Sequence, residues 1–315
     1  MKSSYLRAWQ NGLLAKRITE SRQRLICCRL CPRQCGVDRL AGERGVCRTG
    51  EYAEVASYGP HFGEESVLVG KHGSGTIFFC GCSLTCAFCQ NYDISHPEPD
   101  SCDQMTARQL GSIMAALQQQ GCHNINLVTP SHVVPQILVA LPYAIEQGLT
   151  VPLVYNSSGY EEVESLQLLE GIVDIYMPDF KFWQNHSAKR YAHAADYPEK
   201  ARAALLEMQR QVGDLRMDDN GIAERGLLVR HLLMPHGGEG SREILQFLAE
   251  KISRNCYVNI MDQYRPSGCV ANFFELQETI KGEDYQRALQ QAKMFGLSRL
   301  DVKNFSLLMK RLFQV

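Results

Sequence analysis

The sequence lacks any hydrophobic run long enough to cross a membrane, and its beginning lacks the features of an export signal. No stretch approaches the roughly 18 uncharged apolar residues that a membrane span requires. The first 24 residues scatter Arg and Lys through an amphipathic pattern, without an apolar core or a small-residue cleavage site. These absences argue against a membrane protein and against a secreted one, so the sequence predicts a cytoplasmic protein.

The chain also lacks a strong excess of charge of one sign, because its net charge is only -1. Residues 1–50 nevertheless carry eleven Lys and Arg against three Asp and Glu. The arginines are scattered and few aromatic residues lie among them, so a solvated or partner-facing surface is favoured over a nucleic-acid footprint. With 315 residues, 45% apolar and 21% charged, the chain can bury the core of one large α/β domain or two ordinary domains.

Cysteine is abundant and unevenly placed. Nine of the 13 cysteines precede residue 90. In a reducing compartment such crowding indicates metal or redox chemistry, not disulfides. The other four stand alone in the sequence and are predicted to be small buried hydrophobic residues: Cys102, Cys122, Cys256 and Cys269.

Strand-like apolar runs alternate with helical patterns along most of the chain. A helix is predicted over 3–24, a Cys-rich loop over 27–50 and short strands over 52–80. Six apolar runs then begin at positions 76, 124, 151, 171, 226 and 257. Helices are predicted from Thr106, whose capping box uses Gln109, from Pro135 to Gly148, and over 161–170, 198–212, 241–253 and 283–295.

Six βα units predict parallel pairing and are fewer than the eight of a closed barrel. The predicted fold is therefore α/β, a partial (β/α)6 barrel with its site at the carboxyl ends of the strands and a Cys-rich N-terminal extension. Residues 1–72 would form the N-terminal helix and Cys-rich metal-binding module with short strands, and residues 73–315 the barrel.

Three cysteines follow the first predicted barrel strand with the spacing C-x3-C-x2-C: Cys82, Cys86 and Cys89. Soft thiolates this close together can hold an iron-sulfur cube, and three ligands leave one iron open for a reactive small molecule. The alternatives are chance clustering or zinc. Zinc would require a fourth nearby ligand and would give the aromatic Phe88, just before the third cysteine, no role.

These residues resemble the radical S-adenosylmethionine superfamily, and more narrowly its PflX-like branch, relatives of pyruvate formate-lyase activating enzyme. The segments that carry the resemblance are GSGTIFFCGCSLTCAFCQNYDIS, NINLVTPSH, VPLVYNSSGY, GIVDIYMPDFKF and VNIMDQYRP. The resemblance implies a [4Fe-4S] cluster whose open iron chelates S-adenosylmethionine. One electron, from a donor such as flavodoxin or ferredoxin, would cleave that cofactor to methionine and a 5'-deoxyadenosyl radical that abstracts hydrogen from a substrate.

The resemblance also implies a cofactor-binding set at the strand ends. Asp179 and Lys181 are similar to the Asp-x-Lys motif of activating enzymes, and a buried Arg230 needs an anionic partner such as the cofactor carboxylate. The expected cofactor contacts are Phe88, Thr129, Asn156, Ser157, Asp179, Lys181 and Arg230. The turn TPSH departs from the usual Gly-Gly-Glu-like turn, and its Ser131 is equally well explained as a helix N-cap. His231 is expected to be a packed histidine on the opposite face of its strand.

A second set of cysteines lies upstream: Cys28, Cys31, Cys35 and Cys47. Four thiolates can hold zinc or an auxiliary iron-sulfur cluster, and the spacing does not decide between them. Cys27 is an alternative to Cys28 as a ligand.

The sequence leaves three interpretations of the function open. The first is an activase, an oxidoreductase that abstracts hydrogen from a glycine of a partner protein. The second modifies a peptide or small molecule, and the third is a metal-dependent nucleic-acid-binding protein. Expected substrate contacts are His61, Glu64, Glu65, His132, Tyr264 and Arg265. The alternative for Glu64, Glu65 and Arg265 is ordinary surface ion pairing.

Overall fold

The computed structural model describes residues 3–98, 101–237 and 239–301. The chain begins with two helices, α1 (Ser4–Gln10) and α2 (Leu13–Gln23), where the sequence pattern predicts one. The helix is interrupted because Gly12 takes a φ of 79°, a left-handed conformation that glycine adopts without strain. Residues 24–52 then form turns and irregular backbone, as predicted for the Cys-rich loop.

A mixed sheet forms the centre of the molecule. Its strands in the described residues are β1 (Ala53–His61), β2 (Ser74–Phe79), β3 (Asp103–Met105), β4 (Ile125–Val128), β5 (Leu153–Ser157), β6 (Ile175–Pro178), β7 (Arg216–Met217), β8 (Ala223–Leu232) and β9 (Tyr257–Met261). The pairs β2·β4, β4·β5, β5·β6, β6·β8 and β8·β9 are parallel. Each of the six predicted runs thus forms a strand, and the six lie side by side in chain order.

The remaining α-helices lie between these strands, except for the last, which follows β9. They are α3 (Ser66–Val69), α4 (Tyr92–Ser95), α5 (Ala107–Gln119), α6 (Val134–Glu146), α7 (Val163–Leu168), α8 (Asn185–Ala192), α9 (Tyr197–Val212), α10 (Ser241–Phe247) and α11 (Gly282–Met294). The capping box of α5 is confirmed, since Thr106 and Gln109 each bond the other's backbone N–H. A π-helical turn over Leu248–Ile252 extends α10 close to the predicted end at 253. No helix in these described residues is long and apolar enough to cross a membrane.

The strand β1 is antiparallel to β2 and therefore belongs to the central sheet. The sheet accordingly includes residues on both sides of position 72, where the sequence places a domain boundary. Between these two strands, α3 packs Val67 and Leu68 against the first residues of the parallel strands, including Val154 and Ile175. Because α3 covers the amino-terminal halves of the strands, the face of the sheet that it packs against is left uncovered by α3 near the carboxyl ends of the strands.

Candidate active site at the carboxyl ends of the parallel strands

A cavity of about 240 Å³ lies where the parallel strands end. Every residue predicted to bind the cluster or the cofactor lines it: Cys82, Cys86, Phe88, Cys89, Thr129, Asn156, Ser157, Asp179, Lys181 and Arg230. These ten residues come from the loop after β2 and from the ends of β4, β5, β6 and β8. Their convergence is a consequence of parallel pairing, which brings the carboxyl ends of all strands to one edge.

The loop that carries the three cysteines is tightly held against its surroundings. Gly81 has a φ of 80°, and a Cβ there would lie 2.1 Å from the Cys47 carbonyl oxygen, so only glycine permits this approach. The Leu84 N–H points to Cys82 Sγ at 3.3 Å, and Ser95 Oγ lies 3.2 Å from Cys89 Sγ. Donors of this kind stabilise thiolates that bind metal.

Burial raises the pKa of the Cys82 thiol to about 12, and burial also raises the pKa of Cys86. Metal ligation is the ordinary way in which such buried thiols become thiolates. Among the described residues, no three Cys, His, Asp or Glu side chains are arranged to hold a single metal ion. A cube binds each thiolate through a different iron and so separates its ligand sulfurs more widely than one ion does. Three thiol donors around one cavity are the ligand type that iron-sulfur clusters use.

A carboxylate shared by two cations forms the other wall of the cavity. Asp179 Oδ1 lies 2.7 Å from Arg230 Nε, and Asp179 Oδ2 lies 2.5 Å from Lys181 Nζ. Arg230 also donates to Asn156 Oδ1 at 2.7 Å. Burial alone would raise the pKa of Asp179, but the two cations outweigh it and lower that pKa. The array presents two cationic donors, Lys181 and Arg230, at the cavity wall, so it suits a ligand that brings a carboxylate.

The backbone around this array is held in place by Tyr197, which the sequence pattern does not single out. Its hydroxyl donates to the carbonyl oxygens of Ser158 and Asp179, at 2.9 and 3.1 Å, and accepts the Lys181 N–H at 2.8 Å. Gly159 completes the contact, since a Cβ there would lie 2.2 Å from the Asp179 carbonyl oxygen. The ends of β5 and β6 are thereby fixed relative to each other.

Three further residues that line the cavity lie at the ends of β8 and β9. Leu232 follows Arg230 by two positions within β8, so the two face the same side of the sheet. Met261, the last residue of β9, and Gln263, just beyond it, also line the cavity. No charge or cysteine marks Leu232, Met261 or Gln263 in the sequence.

The six residues predicted to contact substrate do not line this cavity. Glu64 Oε1 lies 3.1 Å from His61 Nδ1. Glu65 is buried and accepts a hydrogen bond from Asn259 Nδ2 at 2.9 Å, so it does not form the surface ion pair that was the alternative for it. Both glutamates act electrostatically on Arg230, which places them on its side of the sheet interior. Arg265 is exposed.

The last two of these six residues, His132 and Tyr264, are buried in the core. This corrects their predicted placement in an open substrate pocket. Tyr264 is 2% exposed, donates to the Leu276 carbonyl oxygen at 2.7 Å and packs against Phe88. His132 is 1% exposed, and its Nε2 lies 2.8 Å from the Cys80 carbonyl oxygen. His231 is buried between the Phe180 carbonyl oxygen and Ser241, as predicted for a packed histidine.

Ser131 does not cap the next helix. Its hydroxyl donates to Glu161 Oε1 at 2.5 Å, and the N-cap position of α6 is Val133. The sequence pattern missed the role of Glu161, a fully buried carboxyl that also accepts from the Tyr155 hydroxyl at 3.1 Å. Burial raises its pKa to about 7.

The isolated cysteines behave differently from one another. Cys122 and Cys256 are buried as predicted, but Cys269 is exposed, and Cys102 forms a disulfide with Cys80. The prediction of a small buried residue was wrong for Cys102 because the sheet brings it to Cys80. Val55 of β1 pairs with Asp103 on one side and with Phe79 on the other, and these are the sequence neighbours of the two cysteines.

The N-terminal cysteines surround a second, much smaller cavity of about 10 Å³. Its lining includes Cys28, Cys31, Cys35, Cys47 and His132, whereas Cys27 is exposed and lies elsewhere. Of the two adjacent cysteines, Cys28 and not Cys27 therefore lies at this cavity.

No family model matches the chain. The chain is 32% identical over 278 residues to Uncharacterized protein MJ0674 of Methanocaldococcus jannaschii, a match that covers 86% of this chain and 75% of that protein. At this level of identity and coverage, the chain belongs to the same family as MJ0674.

Two solved structures are similar to part of the chain. HydG, a maturase of the [FeFe]-hydrogenase, has a TM-score of 0.46 and 12% identity, over 70% of this chain and 49% of HydG. TsrM, a radical S-adenosylmethionine methyltransferase from Kitasatospora setae with cobalamin and a [4Fe-4S] cluster bound, has a TM-score of 0.41 and 12% identity. That match covers 60% of this chain and 36% of TsrM. The chain thus spans about half the length of HydG and less than half the length of TsrM.

Proposed function

We propose that this protein is a radical S-adenosylmethionine enzyme. The observation that carries the proposal is the meeting of two motifs at one cavity: the C-x3-C-x2-C thiols and the carboxylate shared by two cations. The motifs are separated by about ninety residues in the sequence, and parallel pairing supports their meeting. The same proposal includes the curvature of the six parallel strands into a partial (β/α)6 barrel with a Cys-rich extension.

The side chains present fit a cluster and a cofactor with a carboxylate. Cys82, Cys86 and Cys89 would hold a [4Fe-4S] cluster and leave one iron free. When bound, the cluster and S-adenosylmethionine supply a one-electron cleavage that begins hydrogen abstraction from a substrate.

The chain's own residues would bind and orient the cofactor. Lys181 and Arg230 would meet its carboxylate, because both are charged hydrogen-bond donors that line the cavity. Asn156 and Ser157 offer polar groups for the ribose. Phe88, Leu232 and Met261 line the cavity with apolar surface, which excludes water from the reacting atoms.

The test is anaerobic reconstitution with iron and sulfide, followed by reduction and measurement of 5'-deoxyadenosine by chromatography. Wild type should form 5'-deoxyadenosine and methionine in equal amounts, and a Cys82→Ala/Cys86→Ala/Cys89→Ala variant should form neither. The control is Cys122→Ala, which removes a buried thiol outside both cysteine sets and should keep the activity. Undiminished product from the triple variant contradicts the proposal.

The finer part of the proposal is an activating-enzyme-like oxidoreductase of the PflX-like branch, which takes its electron from a flavodoxin or ferredoxin and abstracts hydrogen from a glycine of a partner protein. Its support is the resemblance of the strand-end motifs. A peptide or small-molecule substrate is the alternative. We further propose that the N-terminal cysteines hold a second metal centre.

One observation argues against the nucleic-acid interpretation. Several arginines of the basic segment are engaged within the molecule: Arg33 donates to the Ser83 and His193 carbonyl oxygens, Arg48 to that of Pro97, and Arg44 pairs with Glu54. Arginines used in this way are not free to bind phosphates.

A further inference from the structure

The Cys80–Cys102 disulfide closes a loop that contains all three cysteines of the candidate cluster site. Gly81 alone separates Cys80 from Cys82. The same loop supplies four further residues that line the main cavity: Gln90, Asn91, Ile94 and Ser95. One covalent bond therefore encloses the whole cysteine-bearing segment of the candidate active site.

Cys80 is a fixed end of this loop. Its N–H donates to the Glu54 carbonyl oxygen at 2.8 Å, and its own carbonyl oxygen lies 2.8 Å from His132 Nε2. Both polar groups of its backbone are thus held by partners outside the loop, and neither of these contacts depends on the disulfide. We therefore expect Cys80 to stay in place when the disulfide is broken.

Cys102, at the other end of the loop, is held by less. It comes just before β3, whose three residues pair with β1 at the edge of the sheet. A strand this short contributes little stability by itself. Nearer the middle of the loop, Arg48 donates a hydrogen bond to the Pro97 carbonyl oxygen at 3.0 Å. The covalent bond to Cys80 is therefore the strong constraint at this end.

The two sulfurs also differ in their access to a reductant. Cys102 is half-buried, whereas Cys80 is 0% exposed, so a thiol in solution reaches the Cys102 sulfur. One thiolate of a dithiol bonds to Cys102 Sγ, the S–S bond breaks, and Cys80 leaves as a thiolate that takes up a proton. The second thiol of the reductant then displaces Cys102 from the mixed disulfide. The dithiol is oxidised to a disulfide, and the chain gains two electrons and two protons.

We propose that the Cys80–Cys102 bond is a reversible redox site that dithiols reduce, and that its reduction loosens the segment carrying Cys82, Cys86 and Cys89. In the oxidised chain the loop is held as the structure shows it. In the reduced chain the loop opens more often, because only a short edge strand then restrains the Cys102 end. Such a site is independent of the proposed radical chemistry, because it requires the positions of the thiols and no bound cluster.

Thiol counting by alkylation and mass spectrometry tests the redox step, with dithiothreitol as the reductant. The full-length chain, purified in air, is treated under native conditions and then alkylated in denaturant with a chelator. Before treatment all cysteines except Cys80 and Cys102 should be free, which is 11 of the 13, and after treatment all 13 should be free. Thirteen free thiols before treatment, or a bond that dithiothreitol reduces only in denaturant, overturns the proposal.

Hydrogen–deuterium exchange tests the loosening of the loop, with the oxidised and reduced chains compared at equal metal content. Peptides from residues 81–98 should exchange at least about tenfold faster after reduction. The Gly81 N–H, which donates to the Ile94 carbonyl oxygen at 2.9 Å, is one of the amides that report this change. Peptides from α6 should not change. Equal exchange of residues 81–98 in the two redox states overturns the proposal.

Two cysteine variants separate the bond from other effects of dithiothreitol. Cys102→Ser cannot form the bond, so residues 81–98 should exchange at the fast rate with or without reductant. Cys122→Ser removes a buried free thiol outside the loop and should show the same change as wild type. A Cys102→Ser chain that exchanges as slowly as oxidised wild type contradicts the proposal. If Cys102→Ser fails to fold, the two redox states of wild type still decide.

Discussion

The buried carboxyl of Glu161 makes the stability of this protein depend on pH in a way that can be worked out in advance. Burial raises its pKa from an ordinary 4.5 to about 7, against the opposing hydrogen bonds from Ser131, Ser157 and Tyr155. The folded chain therefore holds a proton that the unfolded chain releases between these two values. Ionisation disfavours the folded state, so Glu161 costs little below about pH 4.5. Its cost grows as the pH rises from 4.5 to about 7 and levels off above that range.

The perturbation is Glu161→Gln, which resembles the neutral acid in shape and cannot ionise. A shift from 4.5 to about 7 corresponds to about 3 kcal/mol of unfolding free energy once the pH is above 7. The variant should lie within about 1 kcal/mol of wild type near pH 5. By pH 8 it should be more stable by up to about 3 kcal/mol.

The assay is urea unfolding of wild type and variant in the same metal state, at several values between pH 5 and pH 8. The difference between the two midpoints is the quantity of interest, because it cancels every other titrating group. Glu161→Ala serves as a control: it loses the same pH dependence but is less stable throughout, since it leaves Ser131 and Tyr155 without their partner. A difference that is constant with pH would refute the reasoning.

Three further outcomes are expected. Gly81→Ala should lower the unfolding free energy by at least about 2 kcal/mol, because its Cβ would meet the Cys47 carbonyl oxygen, and unchanged urea unfolding would contradict the close approach. Cys102→Ser should destabilise the oxidised protein by about 3 kcal/mol through loss of a cross-link over 22 residues, and should have little effect when wild type is reduced. Lys181→Ala should weaken S-adenosylmethionine binding by about 2 kcal/mol, roughly thirty-fold, in equilibrium dialysis; equal binding would remove Lys181 from the cofactor site.

The strands and the cysteine-bearing cavity are predictable because their signals are local. Buried parallel strands appear as short apolar runs, and each of the six runs becomes a strand. The boundary between α1 and α2 is harder to predict from the sequence. An isolated glycine such as Gly12 is tolerated in many helices, but here it breaks one. Parallel pairing then places Asp179, Lys181 and Arg230 beside the cysteines without any further signal.

The roles of His132 and Glu161 depend on packing that no local pattern encodes. A histidine at a strand end is equally compatible with substrate binding and with a core hydrogen bond, and only the buried position beside Cys80 decides. Glu161 follows a glycine turn and looks like the start of a surface helix, yet Ser131 and Tyr155 enclose it. Cys102 is similar, because the partner that makes it a disulfide is 22 residues away.

The N-terminal segment, which the sequence separates as a module, is built into the wall of the candidate active site. The Cys47 carbonyl lies against Gly81, and Arg33 donates to the Ser83 carbonyl oxygen at 2.8 Å. These two contacts brace the backbone on either side of Cys82. Arg33 reaches its carbonyl acceptor with a long, always charged donor. The excess of arginine in this segment is therefore explained in part by the need to hold an irregular loop rigid, since that loop has no strand or helix to satisfy its carbonyl groups.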